Sequence, residues 1–244
     1  MKIAIIGGSG LDDPNILENP QIKEVENKYG KPSSALTCGK IEGVDVVILA
    51  RHGKSHGTPP TFVNFLANML ALKDEGCSHI LATTAVGSLR EEIKPGNLVF
   101  PNQFIDFTRH RNLTYFKDEV VHTAMAEPYD KNLRDLITQT CEELGFEFNS
   151  DKTVITIEGP RFSTKAESHM FRQWGADIIN MSTCPEVILA NELKIPYQTI
   201  AMSTDYDCWK DDGEHVTWEM ILDTMNKNVD KVKRLLIKII PRIG

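Results

Sequence analysis

The sequence predicts an α/β fold, a single domain over residues 1–244 with a central mixed β-sheet flanked by helices. Short apolar runs of strand length recur from one end of the chain to the other, and stretches with a helical 3.6-residue period stand between them. No Pro/Gly/Ser-rich linker and no internal repeat divides the chain. With 244 residues, 41% of them hydrophobic, it can bury one sizeable core.

The elements follow in order. Ile3-Ala4-Ile5-Ile6 reads as a buried strand entering the turn Gly7-Gly8-Ser9-Gly10. A second strand covers residues 44–50, and a helix covers 62–75 with Gly76 as its stop signal. Further strands are expected at 79–85, 98–104, 153–157, 177–181 and 197–203. Helices are expected at 131–144, 165–174, 185–193 and 216–239. The last repeats apolar residues at Val216, Met220, Ile221, Met225, Val229, Val232, Leu235, Leu236 and Ile239, close to one helical face. Residues 107–127 form a long polar loop, a feature often tied to function or to an interface.

Composition removes several classes of function. A net charge of −7 argues against a broad nucleic-acid face, because binding a phosphate backbone needs a basic surface. The five cysteines, Cys38, Cys77, Cys141, Cys184 and Cys208, are odd in number and form no CxxC pair. A disulfide framework or a structural zinc site is therefore not expected, and a reducing cytosol fits. The first apolar run stops at Gly7, too early for a signal-peptide core. No window approaches the roughly 20 apolar residues of a membrane helix. The expectation is a cytoplasmic protein with neither nucleic acid nor membrane as a partner.

Six segments carry groups suited to a small ligand, and five lie at predicted strand ends, where α/β sheets gather ligands. In Gly7-Gly8-Ser9-Gly10 the amides and the Ser9 hydroxyl suit an anion, although neither GxGxxG nor a P-loop is matched and a tight turn explains it as well. Arg51-His52-Gly53 offers phosphate a planar fork and a further His donor; in isolation it reads more readily as a solvated surface pair. Thr83-Thr84-Ala85-Val86-Gly87-Ser88 presents hydroxyls and amides, or simply ends a strand. Near Gly159-Pro160, Ser163 or Thr164 suits a helix cap, and Phe162 is either a ring face for a planar ligand or core. In Asn180-Met181-Ser182-Thr183, Met181 packs on a ribose or in the core, and Ser182 lies at a helix start.

The sixth segment, Thr204-Asp205-Tyr206-Asp207-Cys208-Trp209, is the most informative. In extended chain Asp205 and Asp207 face the same side, and neighbouring carboxyls raise one another's hold on a proton. Adenine presents the matching pattern: a protonated Asp donates to N7, and an ionised Asp accepts from the N6 amino group. An acidic loop or a cation site is the plainer reading of the hexapeptide alone. One ligand containing phosphate, sugar and base accounts for all six segments together.

Read jointly, IIGGSGLDDP (5–14), ARHGKSHGTPP (50–60), TTAVGSLREEIKPG (83–96), TIEGPRFSTKAES (156–168), PEVILANE (185–192) and IAMSTDYDCW (200–209) resemble the methylthioadenosine phosphorylases, within the trimeric purine-nucleoside phosphorylase superfamily. The resemblance runs from residue 3 to the end. It implies a type I nucleoside-phosphorylase fold and phosphorolysis of 5′-methylthioadenosine. It places phosphate at Ser9, Arg51, His52, Thr84-Ala85 and Ser182, the ribose near Met181, and adenine against Phe162 and Ser163. Asp205 at N7 and Asp207 near N6 become the catalytic pair, and Val216, Trp218 and Ile221 border the 5′ substituent. It further implies a homotrimer or a dimer of trimers in which His122 reaches a neighbour's site, and no metal or cofactor, inorganic phosphate being a co-substrate. Related 6-oxopurine enzymes carry an Asn-based loop where this chain has Asp205-Tyr206-Asp207, which favours a 6-aminopurine. The competing readings are a broader purine-nucleoside phosphorylase acting on adenosine or 6-oxopurine nucleosides, a hydrolytic nucleosidase and a non-catalytic nucleotide binder. A nicotinamide-dependent dehydrogenase is weakened by the absent GxGxxG and by Ala50-Arg51 where its acidic residue would stand.

Overall fold

The first apolar run forms β1 (Lys2–Gly7), and its side chains divide between two cores: Ile3 and Ile5 enter one, Ala4 and Ile6 the other. The structure is a computed structural model that describes residues 1–7, 16–210 and 217–243. After β1 come β2 (Glu18–Lys23), β3 (Leu36–Ile41), β4 (Val44–Ala50), α1 (Phe65–Asp74), β5 (His79–Ser88) and β6 (Leu98–Phe107). Then follow α2 (Lys131–Leu144), β7 (Phe148–Ile157), α3 (Lys165–Gln173), β8 (Ile178–Asn180), α4 (Thr183–Glu192), β9 (Tyr197–Asp205) and α5 (Trp218–Ile239).

The strands make one nine-stranded mixed sheet in the order β2-β3-β4-β1-β5-β8-β7-β6-β9. Strand β9 also pairs with β5, so β5, β8, β7, β6 and β9 close into a ring and β1 to β4 extend from it. The central strands are buried on both faces. Helices α1 and α4 cover one face through Phe65, Leu66, Met69, Val187 and Leu189. Helices α2 and α5 cover the other through Leu133, Ile137, Met225, Val232 and Leu236. The expected mixed sheet with helices on either side is therefore present, and among the described residues no helix is long and apolar enough to cross a membrane.

Two strands escape the sequence reading. All six residues of β2 are exposed, so it shows no apolar period, and β3 has only Leu36 and Ile41 buried. Helix α1 starts at Phe65 rather than 62 because residues 60–62 form a separate 3-10 turn and Asn64 caps the helix, accepting from the Ala67 N–H at 3.2 Å. Helix α4 contains one extended residue, Cys184 (φ −95°, ψ 132°), as expected before Pro185.

The long loop after β6 is held by Arg111, whose side chain is 1% exposed. Its guanidinium donates to the Glu158 carboxylate and to the backbone carbonyls of Glu158 and Cys184. It thereby ties the loop to the ends of β7 and α4. Helix α3 begins with a capping box: Thr164 Oγ1 accepts from Glu167 N–H at 3.1 Å, and the Glu167 carboxylate accepts from Thr164 N–H at 2.8 Å. Thr164→Ala is expected to lower the unfolding free energy by about 1 kcal/mol, read from the urea midpoint at unchanged m-value. An unchanged midpoint would show that the cap does not hold α3.

Candidate active site

The carboxyl ends of β4, β5, β8 and β9 open on one cavity of about 390 Å³, the size of a small-ligand site. It is lined by Arg51, His52, Thr84, Ala85, Phe162, Ser163, Met181, Ser182, Asp205 and Asp207. Ten residues proposed from sequence thus share one space. Ser9 and Val216, and the side chains of Trp218 and Ile221, lie outside the described residues. His122 is exposed in the loop after β6 and is not among the residues lining this chain's cavity.

At one end stands Arg51, the residue after β4, only 2% exposed. Its Nε and Nη2 donate side-on to the Glu186 carboxylate at 2.5 and 2.9 Å, and Nη1 donates to the Thr83 carbonyl at 2.8 Å. Burial pulls the Arg51 pKa down, but the charge and hydrogen bonds of Glu186 carry it above its ordinary value. The fork that the sequence reading reserves for phosphate is therefore largely engaged by protein. Three of the five N–H donors of an arginine are in use, which leaves two.

His52 also differs from the expected donor. Its Nδ1 lies 2.9 Å from the Thr58 carbonyl, which can only accept, so Nδ1 carries the proton. Burial and the Arg51 charge lower its pKa to about 4. The ring is thus neutral at physiological pH, with a lone pair at Nε2. In the same cavity two hydroxyls meet: Thr84 Oγ1 and Ser182 Oγ are 2.8 Å apart. Ser182 occupies the N-cap position of α4, yet its side chain makes no cap bond and turns to Thr84 instead. Asn180 Nδ2 donates to both Thr84 Oγ1 (3.4 Å) and Thr183 Oγ1 (2.6 Å), fixing this hydroxyl cluster.

Met181 follows β8 in the cavity wall, with Gly159 against it. A Cβ on Gly159, whose φ is +67°, would lie 2.5 Å from Met181 Sδ. Any larger residue would displace the methionine.

At the other end Asp205, 9% exposed, closes β9. Thr204 Oγ1 donates to its Oδ2 and Asp207 N–H to its Oδ1, both at 2.7 Å. Gly87 leaves room for this carboxylate: a Cβ there would lie 3.1 Å from Asp205 Oδ1. The two aspartates do share the cavity, but not because the chain is extended. Asp207 lies beyond β9 with φ +51°, and a turn folds it back. Nor is mutual repulsion the main effect. The Asp205 pKa is raised to about 6 by burial first, with Thr204 and the Asp207 amide opposing and the Asp207 charge contributing least. Burial raises Asp207 as well. Trp209 pins this turn, its indole N–H donating to the Ser88 carbonyl at 2.8 Å with Arg172 stacked 3.5 Å from the ring centroid. Ser163 Oγ is buried against the cavity with no hydrogen-bond partner among the described residues, and Phe162 is 44% exposed.

Sequence reasoning missed several lining residues. Met202 ends an apolar run and Met225 belongs to the apolar face of the last helix, and neither is expected at a ligand; both border the cavity, as does Thr204 from the sixth segment. Glu186, 0% exposed, has no role in the sequence reading, although a lone carboxylate in the apolar turn Pro185-Glu186-Val187-Ile188-Leu189 is the signal that marks it. Among the described residues no three His, Cys, Asp or Glu side chains gather to hold a metal ion.

Comparison with known proteins places the chain in a family. A family model described as the phosphorylase superfamily matches residues 2–241. The S-methyl-5'-thioadenosine phosphorylase of Danio rerio is 52% identical over 249 residues, covering 100% of this chain and 89% of that protein. The protein of the same name from Drosophila melanogaster is 50% identical over 250 residues, covering 100% and 86%. Among solved structures, methylthioadenosine phosphorylase from Schistosoma mansoni in complex with adenine superposes with a TM-score of 0.96 at 40% identity, covering 100% of this chain and 92% of that one. A mutant of the Schistosoma mansoni enzyme in complex with methylthioadenosine gives a TM-score of 0.95 at 39% identity with the same coverage. The chain belongs to the phosphorylase superfamily and, within it, to the S-methyl-5'-thioadenosine phosphorylase family.

Proposed function

We propose that the chain uses inorganic phosphate to split 5′-methylthioadenosine into adenine and 5-methylthioribose 1-phosphate. The observation that carries this reading is the polarity of the cavity. Paired hydroxyls, a guanidinium and a neutral imidazole stand at one end, and a carboxyl with its pKa raised to about 6 stands at the other. Along β5 the two ends are marked by Thr84 and Gly87, three residues or about 10 Å apart, a span that a ribosyl purine fills. Relatives that share about half of the residues are named for the same activity.

The barrier to breaking the N9–C1′ bond is positive charge on the sugar and negative charge on the leaving base. Phosphate held by Thr84, Ser182, the Ala85 segment and the remaining Arg51 donors sits under C1′ and stabilises the cationic sugar. Asp205 gives its proton to N7, so the N9–C1′ electron pair leaves on a neutral adenine. A phosphate oxygen forms the new bond to C1′, and hydrogenphosphate sheds its proton as it becomes the ester dianion. That proton passes to solvent, because His52, with a pKa of about 4, is too weak a base to take it from a phosphate ester. The proton count then closes once Asp205 is reprotonated. Phosphate supplies the charge the reaction needs, so no metal or other cofactor enters this scheme. Asp207 and Ser163 serve the base edge, Phe162 its face, and Met181 the ribose.

We also assign the chain to the cytoplasm as a homotrimer or dimer of trimers, with His122 reaching a neighbour's cavity. Val120, 84% exposed, and Val121 precede His122 in the loop and favour a covering subunit there.

The direct test is product analysis. Methylthioadenosine in phosphate buffer is expected to yield adenine and sugar 1-phosphate in equal amounts, and the inosine analogue is expected to react far more slowly, because its O6 presents no proton to Asp207. Equal adenine release without phosphate would make the chain a hydrolase.

A second expectation joins stability to function. The folded pKa of Asp205, about 6, exceeds its ordinary value of 3.8, so the folded state holds this proton more tightly. The stabilisation is complete below the ordinary value and is lost as pH rises through 6. At pH 8 Asp205→Asn should be more stable than wild type by on the order of 1 kcal/mol, while its turnover falls about 100-fold or more. At pH 4 the stability gain should vanish. A variant less stable than wild type at pH 8, by thermal melting, would contradict this reading.

A further inference from the structure

We propose that Glu186 is a positioning residue for phosphate, fixing the Arg51 guanidinium so that its two unengaged N–H groups are aimed at the anion. The inference rests on the phosphorolysis reading above and adds to it a residue that does not itself line the cavity.

The geometry is specific. Glu186 lies in the first turn of α4 and is 0% exposed. A carboxylate so far from water is retained only when it is paired with a cation and hydrogen-bonded. Here Oε1 accepts from Arg51 Nε, and Oε2 accepts from both Arg51 Nη2 at 2.9 Å and the Tyr197 hydroxyl at 3.0 Å. Tyr197 is itself buried at the start of β9, so the carboxylate is clamped from a second element. The side-on pairing fixes the plane and rotation of the guanidinium, not only its charge. The Thr83 carbonyl takes one Nη1 proton, and Thr84, the next residue, presents its hydroxyl to Ser182 in the cavity. An arginine side chain left unpaired here samples many rotamers and must be ordered each time phosphate binds. The Glu186 pair orders it beforehand.

A plainer role for Glu186 would be to neutralise a buried cation. The two roles give opposite signs. If Glu186 only offsets the charge, Glu186→Gln leaves Arg51 uncompensated and tightens phosphate binding. If Glu186 sets the orientation, Glu186→Gln places an amide N–H₂ against an Arg donor, and Glu186→Asp, which keeps the charge, falls short of the fork. Both then weaken phosphate binding.

The experiment measures phosphate affinity by calorimetry, phosphate and nucleoside KM, and melting temperature for wild type, Glu186→Gln, Glu186→Asp and Tyr197→Phe. Phosphate Kd and KM are expected to rise on the order of tenfold in both Glu186 variants, with nucleoside KM at saturating phosphate within about twofold of wild type. Tyr197→Phe, which removes one donor to Oε2, is expected to move phosphate KM the same way by about two- to threefold. Should Glu186→Gln not fold, Glu186→Asp and Tyr197→Phe decide by the same criterion. Tighter phosphate binding by Glu186→Gln, or a lower melting temperature with unchanged phosphate affinity, overturns the proposal. Wild type that binds phosphate yet makes no sugar phosphate defeats the functional reading and leaves the positioning role standing. Wild type that binds no phosphate defeats both.

Discussion

Water is excluded from the floor of this cavity, and the ionisable groups there answer that exclusion in different ways. Arg51 keeps its charge because the Glu186 carboxylate is held against it side-on. His52 has no such partner and gives up its proton, its pKa falling to about 4. Asp205 moves in the opposite direction and retains a proton to about pH 6. The same loss of hydration thus yields a fixed cation, a neutral imidazole and a carboxyl of raised pKa within one space. The cation suits anion binding, and the carboxyl suits proton donation to the leaving base.

The fold produces the exclusion. Closure of β5, β8, β7, β6 and β9 into a ring brings strands distant in sequence to one rim, so Thr84, Asn180 and Asp205 converge although about 120 residues separate the first from the last. Arg111 then ties the long loop to the turns beside the cavity, and Trp209 pins the segment carrying Asp207. Two glycines set how closely the walls approach. Gly87 admits the Asp205 carboxylate and Gly159 admits Met181.

How much of this is readable in the chain depends on the kind of burial. Strands β1 and β4 are legible because both of their faces are covered, giving continuous apolar runs. Strand β2 is not, because an edge strand with six exposed residues carries no period. The cavity lining is legible where polar residues follow such runs, as at Arg51, Thr84, Ser182 and Asp205. The sequence conveys residue type but not engagement. Nothing in Arg51-His52 reveals that the guanidinium faces a glutamate 135 residues on, or that Thr58 fixes the imidazole tautomer. The aspartate pair shows the same limit. Its proximity is readable, but the expected cause, two like charges on one face of an extended chain, gives way to burial and to a turn at Asp207.

Because desolvation rather than the neighbouring carboxylate sets the proton on Asp205, the claim can be tested at that one group. A site-resolved carbon-13 NMR titration of the Asp205 carboxyl, in wild type and in Asp207→Asn, isolates it. The midpoint is expected near 6 in wild type and nearly unmoved when Asp207 is neutralised. A midpoint at the ordinary value of 3.8, or a large fall in Asp207→Asn, would show that burial does not govern the acid at the base end of the cavity.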